Sequence, residues 1–175
     1  MTEKELIKGC QKGKSDAQRE LYRQYSSKLF GVCLRYAGSY QEAEDFLQEA
    51  FIRIYKNLYQ YKMTGSFAAW LRRLTVNVAL EHIRKNKKRQ HQAKLEEALG
   101  ISAEEESVFD TFGAKEIMLI IQKLPDGYRA VFNLYVVEGY AHKEIGQLLG
   151  ISENTSKSQL SRAKGMLRKM LEQVI

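Results

Sequence analysis

The stretch GYAHKEIGQLLGISENTSKSQLSRAKGML, residues 139–167, contains two apolar repeats that meet at a glycine. The first repeat places three apolar residues on one side of a short helix: Ile145, Leu148 and Leu149. Gly150 permits a tight turn after them, Ile151 plugs that turn, and Ser152 can cap the next helix through its hydroxyl group. The pattern predicts a helix-turn-helix.

The second predicted helix, near 152–173, has two chemically different faces. The inner face repeats at intervals of four, three and four residues through Ser156, Leu160, Ala163 and Leu167. The opposite face is made of small residues around one long cation, namely Asn154, Ser158, Ser161, Arg162 and Gly165, with Thr155, Lys157 and Gln159 at its flanks. The alternative, a solvated outer face, is disfavoured because such faces are normally rich in Glu and Lys.

Small side chains beside a long cation suit the DNA major groove, where the helix backbone must come close and a few long side chains read base edges. Arg162 can pair with guanine and Gln159 with adenine, whereas Lys157 and Lys143 are placed for phosphate contacts. The DNA-binding residues predicted here are Lys143, Asn154, Thr155, Lys157, Ser158, Gln159, Ser161 and Arg162.

The positive charge of the chain is concentrated in one block. Residues 61–90 contain eight Lys and Arg against one Glu, a net of +7 that equals the formal net charge of all 175 residues. A localised field of this kind favours a polyanionic partner, and the alternative is a solvated basic helix end.

Apolar spacing upstream predicts three helices, over residues 15–37, 40–58 and 67–89, with Ser39 as the N-cap of the second. The outer face of the second helix holds Asp45, Gln48, Glu49 and Ile52. An Ile among acids and an amide indicates a partner helix that bears cations and an apolar patch, although one exposed Ile is also ordinary.

Aromatic residues adjoin the basic block in YQYKMTGSFAAWLRRLTVNVALEHIRKNKKR, residues 59–89. Aromatic side chains beside a cationic track suit single-stranded nucleic acid, because bases can be stacked or held while Lys and Arg follow the backbone. Core packing is the alternative for Phe67, Trp70 and Leu74, and it is favoured for Trp70. Asn77 stands in an otherwise apolar helix turn and is therefore expected to need a partner, either the preceding loop or a base.

These motifs, in this order, resemble an extracytoplasmic-function (ECF) sigma factor of bacterial RNA polymerase, a group of the sigma-70 family. The resemblance rests on EDFLQEAFIRIYKNL, on the aromatic and basic stretch above, on an acidic segment and on LPDGYRAVFNLYVVEGY followed by the helix-turn-helix. It implies a subunit that binds core RNA polymerase and directs transcription initiation by recognising and melting promoter DNA, with an anti-sigma factor as a candidate further partner.

The resemblance also implies roles for individual residues. Polymerase clamp binding falls on Asp45, Gln48, Glu49 and Phe51, beside Ile52. Binding of the minus-ten element falls on the loop around Tyr61, Lys62, Met63, Thr64, Gly65 and Ser66, on Asn77, and on the cations Arg73, Arg84, Lys87 and Lys88. Binding of the minus-thirty-five element falls on the second helix of the helix-turn-helix, near 152–173, here called the recognition helix, with Lys157, Ser158, Ser161 and Arg162 at the base-reading positions. Two positions depart from the family pattern, since Ser156 stands where Val is usual and Gln159 where Arg is common.

The expected fold class is all-α, with two small helical domains joined by a flexible linker. Residues 1–90 are predicted to form the sigma region 2 domain. Residues 91–115, which are acidic and contain two glycines, are predicted to form the linker. Residues 116–175 are predicted to form the region 4 domain, whose partner on the polymerase is the flap and whose helices lie near 116–123, 126–138, 141–149 and 152–173.

Several function classes are disfavoured. The chain has no apolar run of membrane-spanning length and no signal-peptide core at its start, so a cytoplasmic location and no membrane insertion are expected. Cys10 and Cys33 lack the spacing of a disulfide framework or a metal site, and neither a metal nor a cofactor is expected. The three histidines are scattered away from any nucleophile, which argues against an enzyme.

Two other readings remain open at this point. One is a conventional helix-turn-helix regulator with an N-terminal sensing or dimerisation domain, which would bind its operator without polymerase. The other is an RNA-binding basic helix, which would leave the recognition helix unused.

Overall fold

The computed structural model of the chain describes residues 1–96 and 113–174; the side chains of residues 90–96 and 174 are outside the description. Contacts divide the chain into two compact units, Met1–Leu80 and Glu81–Ile175, here called the N-terminal and C-terminal units. The described backbone is helical and contains no strand. Among the described residues, no helix combines the length and hydropathy that crossing a membrane requires.

The N-terminal unit is built from four helices. They are α1 (Glu3–Gln11), α2 (Ser15–Tyr36), α3 (Tyr40–Asn57) and the first part of α4 (Phe67–Glu96), with a 3₁₀ turn over Leu58–Gln60 after α3. The predicted N-cap is confirmed, because the Ser39 hydroxyl accepts a hydrogen bond of 3.1 Å from the Glu42 amide. Helix α1 has no counterpart among the predicted helices, and α4 extends beyond its predicted end at Arg89.

The N-terminal core is formed by apolar side chains whose spacing the sequence shows. The stripe predicted on α2 is buried at Ala17, Leu21, Leu29, Val32 and Cys33, and Tyr25 is half-buried against it. On α3, Ala43, Ala50 and Ile54 are buried, as is Leu58 in the following turn. Burial raises the pKa of the Cys33 thiol to about 12, which keeps this thiol protonated and unreactive near neutral pH.

In its described residues, the C-terminal unit contains four further helices. They are α5 (Ala114–Gln122), α6 (Asp126–Phe132), α7 (His142–Leu149) and α8 (Glu153–Val174), and α6 continues into a π-helical turn over Asn133–Val137. The predicted turn between α7 and α8 is confirmed: Gly150 adopts φ 66° and ψ 37°, a left-handed conformation that glycine enters without steric cost. The Ser152 hydroxyl caps α8 by accepting from the Thr155 amide at 3.0 Å.

The predicted linker, residues 91–115, falls mostly outside the described residues. Within the described part, α4 continues to Glu96 and α5 begins at Ala114.

Candidate functional site

The outer face of α3 presents the predicted polymerase-binding residues unevenly. Asp45 and Gln48 are exposed, and Ile52 has 53% of its surface exposed. Glu49 is half-buried and forms an ion pair with Arg53 one turn later. The predicted face therefore exists, with an apolar side chain next to acidic and amide groups, and one of its carboxylates already has a cationic partner.

Phe51 is a correction to this set. Its ring is only 4% exposed and packs against Tyr22, at 4.7 Å between ring centroids, and against Tyr55, at 5.9 Å. The Tyr55 hydroxyl donates to the Gln18 carbonyl at 2.9 Å, and burial raises the pKa of Tyr55 to about 12. Phe51 thus joins α3 to α2 from inside the unit and does not present its ring to a partner.

Tyr22 is a candidate interface residue that the sequence did not predict. It lies on α2 with 49% of its surface exposed, although its ring packs on Phe51. Partial burial of an aromatic ring beside solvent is typical of interface residues, because one face packs while the other stays available. The signal in the sequence is a tyrosine one position after the core residue Leu21, which is too weak to detect alone.

The loop between the 3₁₀ turn and α4 has a defined shape. Met63 adopts φ 57° and Gly65 adopts φ 78°, so two left-handed residues flank Thr64. A non-glycine residue in that region costs about 1–3 kcal/mol, which its surroundings must offset. Met63 packs partly against the core, and Lys62, Thr64 and Ser66 are exposed. Thr64 is therefore displayed between two bends of the backbone.

Tyr61 and Ser66 close the two ends of this loop. Tyr61 is 7% exposed, and its hydroxyl donates to the Gly65 carbonyl at 3.0 Å. The Ser66 hydroxyl accepts from the Ala69 amide at 3.2 Å, so it caps α4. Tyr61 belongs to the predicted minus-ten set, but its ring packs between Phe67 and Trp70, each with centroids 5.2 Å away, and is not presented to solvent.

The aromatic residues of α4 support the loop from below. Phe67 is buried, and Trp70 is half-buried against the core, with its ring nearly parallel to that of Phe67 at 5.9 Å. The core reading favoured for Trp70 agrees with this placement. Asn77 is exposed, so of the two partners expected for its amide, the loop or a base, the base stays a prediction. Its exposure leaves the amide accessible to a ligand.

The cationic residues predicted on α4 lie at its surface. Arg73, Arg84, Lys87 and Lys88 are all exposed, together with Lys85 and Arg89. Five of these cations lie within residues 84–89 and form a basic cluster to which a phosphate backbone can bind, and Arg73 lies about three turns earlier on the same helix. The helix places these charges at a regular rise of about 1.5 Å per residue.

The recognition helix α8 turns the predicted face outward. Ser156, Leu160 and Ala163 are buried, and Leu167 is half-buried, as the inner stripe predicts. The outer residues are exposed, namely Asn154, Lys157, Ser158, Ser161 and Arg162, and so is Lys143 on α7. Thr155 is half-buried, with its hydroxyl 2.8 Å from that of Ser152.

Two polar side chains of α8 are held by α6. The Arg162 guanidinium donates weakly to the Tyr128 hydroxyl, at 3.4 Å, and remains exposed. Gln159 is half-buried, and a Cβ placed on Gly127 would lie 3.5 Å from its amide oxygen. Arg162 is therefore available to a base edge, whereas Gln159 packs against α6 and has less freedom to reach one.

The serine at position 156, where the family usually has valine, makes a hydrogen bond inside the C-terminal unit. It is fully buried, and its hydroxyl lies 2.8 Å from Nδ1 of His142, at the start of α7. The His142 ring stacks on Tyr135 at 4.5 Å. The hydroxyl therefore joins α8 to α7 by a hydrogen bond, where a valine would contribute apolar contact.

Comparison with known proteins gives a consistent result in both units. The Sigma-70 region 2 model matches residues 21–89, and the Sigma-70, region 4 model matches residues 114–167. The chain is 32% identical to ECF RNA polymerase sigma factor SigW of Bacillus subtilis (strain 168), with 96% of each chain covered. It is 31% identical to ECF RNA polymerase sigma factor SigE of Mycolicibacterium smegmatis, over 87% of this chain and 60% of that relative.

A solved structure agrees at the level of the fold. The sigma factor RpoE from Bartonella quintana, crystallised in complex with the anti-sigma factor NepR, superposes with a TM-score of 0.53 at 18% identity, over 88% of this chain and 96% of that chain. The two family models and the SigW relationship together identify the function. The chain belongs to the ECF group of the sigma-70 family, and it is a non-enzymatic initiation factor that binds core RNA polymerase and directs transcription from promoter DNA.

Proposed function

We propose that the protein divides promoter recognition between two surfaces, one that reads duplex DNA and one that binds melted DNA. The duplex surface is the outer face of α8. The melted-strand surface is the loop over residues 61–66 together with the exposed side of α4. In this proposal residues 1–90 form the domain that binds the polymerase clamp and the minus-ten element, and residues 116–175 form the domain that binds the flap and the minus-thirty-five element.

The observation that carries the proposal is the outward face of α8. Its small exposed residues surround Arg162, whereas the buried side of the same helix is occupied by Leu160 and Ala163. A major groove about 12 Å wide accepts a helix whose exposed side chains are short. Arg162 then contacts a guanine edge, Ser158 and Ser161 approach neighbouring bases, and Lys157 and Lys143 contact phosphates.

The melted-strand surface is supported by the loop geometry. Thr64 stands exposed between Met63 and Gly65, Lys62 is exposed in the same loop, and Asn77 is exposed on α4. Extruding a base costs a few kcal/mol, which contacts to that base and to its phosphates must offset. In the proposal, the loop holds the extruded base and the cations of α4, namely Arg73, Arg84, Lys87 and Lys88, follow the backbone of the non-template strand.

The polymerase-binding surface is proposed on the exposed residues of α3. Asp45, Gln48 and Ile52 contact the clamp, Glu49 exchanges its ion pair with Arg53 for one with the polymerase, and Phe51 supports the face from inside. The protein acts in the cytoplasm, where its polymerase and promoters are. An anti-sigma factor that covers this face is a further candidate partner, by analogy with the RpoE complex with NepR.

Reconstituted transcription tests the proposal. Core polymerase with the full chain is expected to start at particular promoters of a genomic library, and the chain alone is expected to give no specific gel shift on those promoters. A specific shift without polymerase would favour the conventional helix-turn-helix regulator. Failure at every promoter with an active core would contradict the proposal.

A further inference from the structure

Helix α1 lies outside both family matches, yet it packs into the N-terminal core. Thr2 and Glu5 form a capping box at its start, with bonds of 2.8 and 3.3 Å between backbone amides and side-chain oxygens. Leu6 and Ile7 are buried in the same apolar cluster as the residues around the loop. Gly9 allows α1 to approach α2, because a Cβ at this position would lie 2.7 Å from Cβ of Ala17.

The last residue of α1 reaches the start of the loop. The Gln11 side-chain amide donates to the Leu58 carbonyl at 3.0 Å and to the Tyr61 carbonyl at 3.3 Å. The Leu58 carbonyl belongs to the 3₁₀ turn and also accepts from the Tyr61 amide at 3.1 Å, whereas the Tyr61 carbonyl belongs to the first residue of the loop. One side chain thus joins two carbonyls that are 47 and 50 residues away along the chain.

The first turn of α1 reaches the far end of the same loop through α2. Glu3 accepts a hydrogen bond of 3.2 Å from the Tyr25 hydroxyl. The Tyr25 ring meets Phe67, the first residue of α4, edge to face at 5.7 Å. Both ends of the loop are therefore held by contacts that begin on α1.

The loop over residues 61–66 needs contacts from outside because its backbone is strained at Met63. Its proposed function also depends on where its exposed side chains are placed. Met63 occupies the left-handed region at φ 57°, and its side chain packs against the core of the unit. A binding site must be held to within about 0.5 Å by surrounding side chains if it is to discriminate between ligands. Phe67 and Trp70 pack on the Tyr61 ring, and the Gln11 amide holds the Tyr61 backbone from outside the loop by a hydrogen bond.

Resting on the proposed role of the loop, we propose that Gln11 is a positioning residue for promoter recognition: its amide holds the loop in the shape that receives one extruded minus-ten base. Gln11 does not contact the DNA. Its loss therefore changes which base the loop accepts and leaves the assembly of the holoenzyme unchanged.

Three variants of the full chain separate the hydrogen bonds from the bulk of the side chain. Gln11→Met keeps the length and removes both donors, whereas Gln11→Lys supplies a donor of similar reach. Gln24→Met is the matched control, because Gln24 is exposed on α2 and donates only locally, to Glu20 at 2.6 Å. A Lys62→Ala, Thr64→Ala double variant tests the loop itself.

The measurement is a base-preference ratio in reconstituted holoenzyme. A promoter mapped with the unaltered chain is made with each of the four bases at every non-template minus-ten position, as duplex and as pre-melted template. Each preparation transcribes a mixture of two templates that differ in one minus-ten base, and the base-preference ratio is the amount of one transcript divided by the amount of the other. This ratio does not depend on the fraction of folded protein. A purely structural role would lower both products equally and leave the ratio unchanged.

Gln11→Met is expected to lower the ratio about threefold to tenfold at one position, on duplex and pre-melted template alike, since two neutral hydrogen bonds are lost. Gln11→Lys is expected to keep most of the base-preference ratio of the unaltered chain, and Gln24→Met is expected to leave that ratio unchanged. If the loop double variant lowers the ratio and Gln11→Met does not, the role of Gln11 is overturned while the loop assignment stands. If the loop double variant has no effect on any position, both are overturned.

Discussion

The two units build their cores from different kinds of side chain. In the described part of the N-terminal unit, the buried residues are almost all apolar or aromatic, with Thr75 as the buried polar residue. In the described part of the C-terminal unit, Arg129, Asn133 and Ser156 are buried among a smaller set of aliphatic residues. Burying a polar group is costly unless it is hydrogen-bonded, and such hydrogen bonds fix the geometry of the residues that they join.

Arg129 illustrates how the C-terminal unit uses such a group. It is 1% exposed and donates to the carbonyls of Gln122, at 3.0 Å, and Leu124, at 2.6 Å, while pairing with Asp126. These contacts join the end of α5 to the start of α6, on which Tyr128 faces Arg162 of the recognition helix. The C-terminal unit thus orients the outer face of α8 through hydrogen bonds of a buried side chain. The N-terminal unit holds its loop by aromatic packing around Tyr61 together with hydrogen bonds from Gln11 and Tyr61.

The largest effect is expected from Phe46→Ala, which removes a fully buried ring from the N-terminal core. The free energy of unfolding should fall by about 4 kcal/mol, from lost burial and the cavity left behind. Trp70, the sole tryptophan of the chain, lies in this unit and reports its unfolding by fluorescence. Ile52→Ala on the same helix is the control, with a change below about 0.5 kcal/mol but weaker polymerase binding. Equal stabilities for the two variants would contradict the picture of a packed apolar core.

A smaller effect, about 2–3 kcal/mol, is expected from Arg129→Met in the C-terminal unit. Methionine keeps much of the apolar volume but leaves the Leu124 and Gln122 carbonyls and the Asp126 carboxylate without their donor. Amide hydrogen exchange over residues 114–173 should accelerate, while the Trp70 transition stays in place. Arg168→Met, at an exposed site of α8, is the control. A shift of the Trp70 transition by Arg129→Met would show that the two units are not stabilised separately.

Replacing Lys87, Lys88 and Arg89 by alanine tests the electrostatic side of the comparison. The affinity of the holoenzyme for pre-melted promoter DNA should fall about tenfold to hundredfold at 0.15 M salt, and the slope of log affinity against log salt should decrease by about 2. Titration of a fluorescent template at several salt concentrations measures both. Replacing Lys4, Lys8 and Lys12 removes the same charge elsewhere and serves as the control; an equal loss there would mean that net charge alone is responsible.

Arg162→Ala is expected to have a smaller and more selective effect, about 1–2 kcal/mol at one base pair of the minus-thirty-five element. The guanidinium is exposed and donates a long hydrogen bond, of 3.4 Å, to the Tyr128 hydroxyl, so the free energy of unfolding should hardly change. Transcription from promoters randomised in this element measures the relaxed preference. Lys164→Ala on the same helix is the control. A uniform loss across all sequences would assign Arg162 to phosphate contact instead.

Ser156→Val is expected to have the smallest effect, and it tests whether the buried hydroxyl stabilises the C-terminal unit. The substitution leaves His142 Nδ1 without its partner at 2.8 Å, at a cost of about 1 kcal/mol in the stability of the C-terminal unit. Hydrogen exchange over α7 and α8 measures it, with Ser161→Val on the exposed face as the control. A more stable Ser156→Val protein would show that the apolar gain exceeds the lost hydrogen bond.

Much of the fold was predictable because helical periodicity is a local property. The bounds of α2, α3 and α8, the cap at Ser39 and the turn at Gly150 all follow from residues a few positions apart. The outward face of α8 was predictable for the same reason, since its inner stripe is regular. The roles of single residues in promoter binding stay predictions, because neither DNA nor polymerase is present in the structure.

How deeply each side chain is buried was decided only by the tertiary structure. A helical wheel gives the direction of a side chain but not what covers it. Tyr22 therefore covers the Phe51 ring, Trp70 and Phe67 enclose Tyr61, and Asn77 is left open to solvent. The same limit applies to Arg129, whose burial depends on how α5 and α6 meet, and to Gln11, whose partners lie some 50 residues away. The amino-acid sequence determined where most of the helices run and which of their faces are apolar, because those depend on neighbours in the chain. The packing of distant segments decided which side chains reach the surface and which ones hold the loop in place.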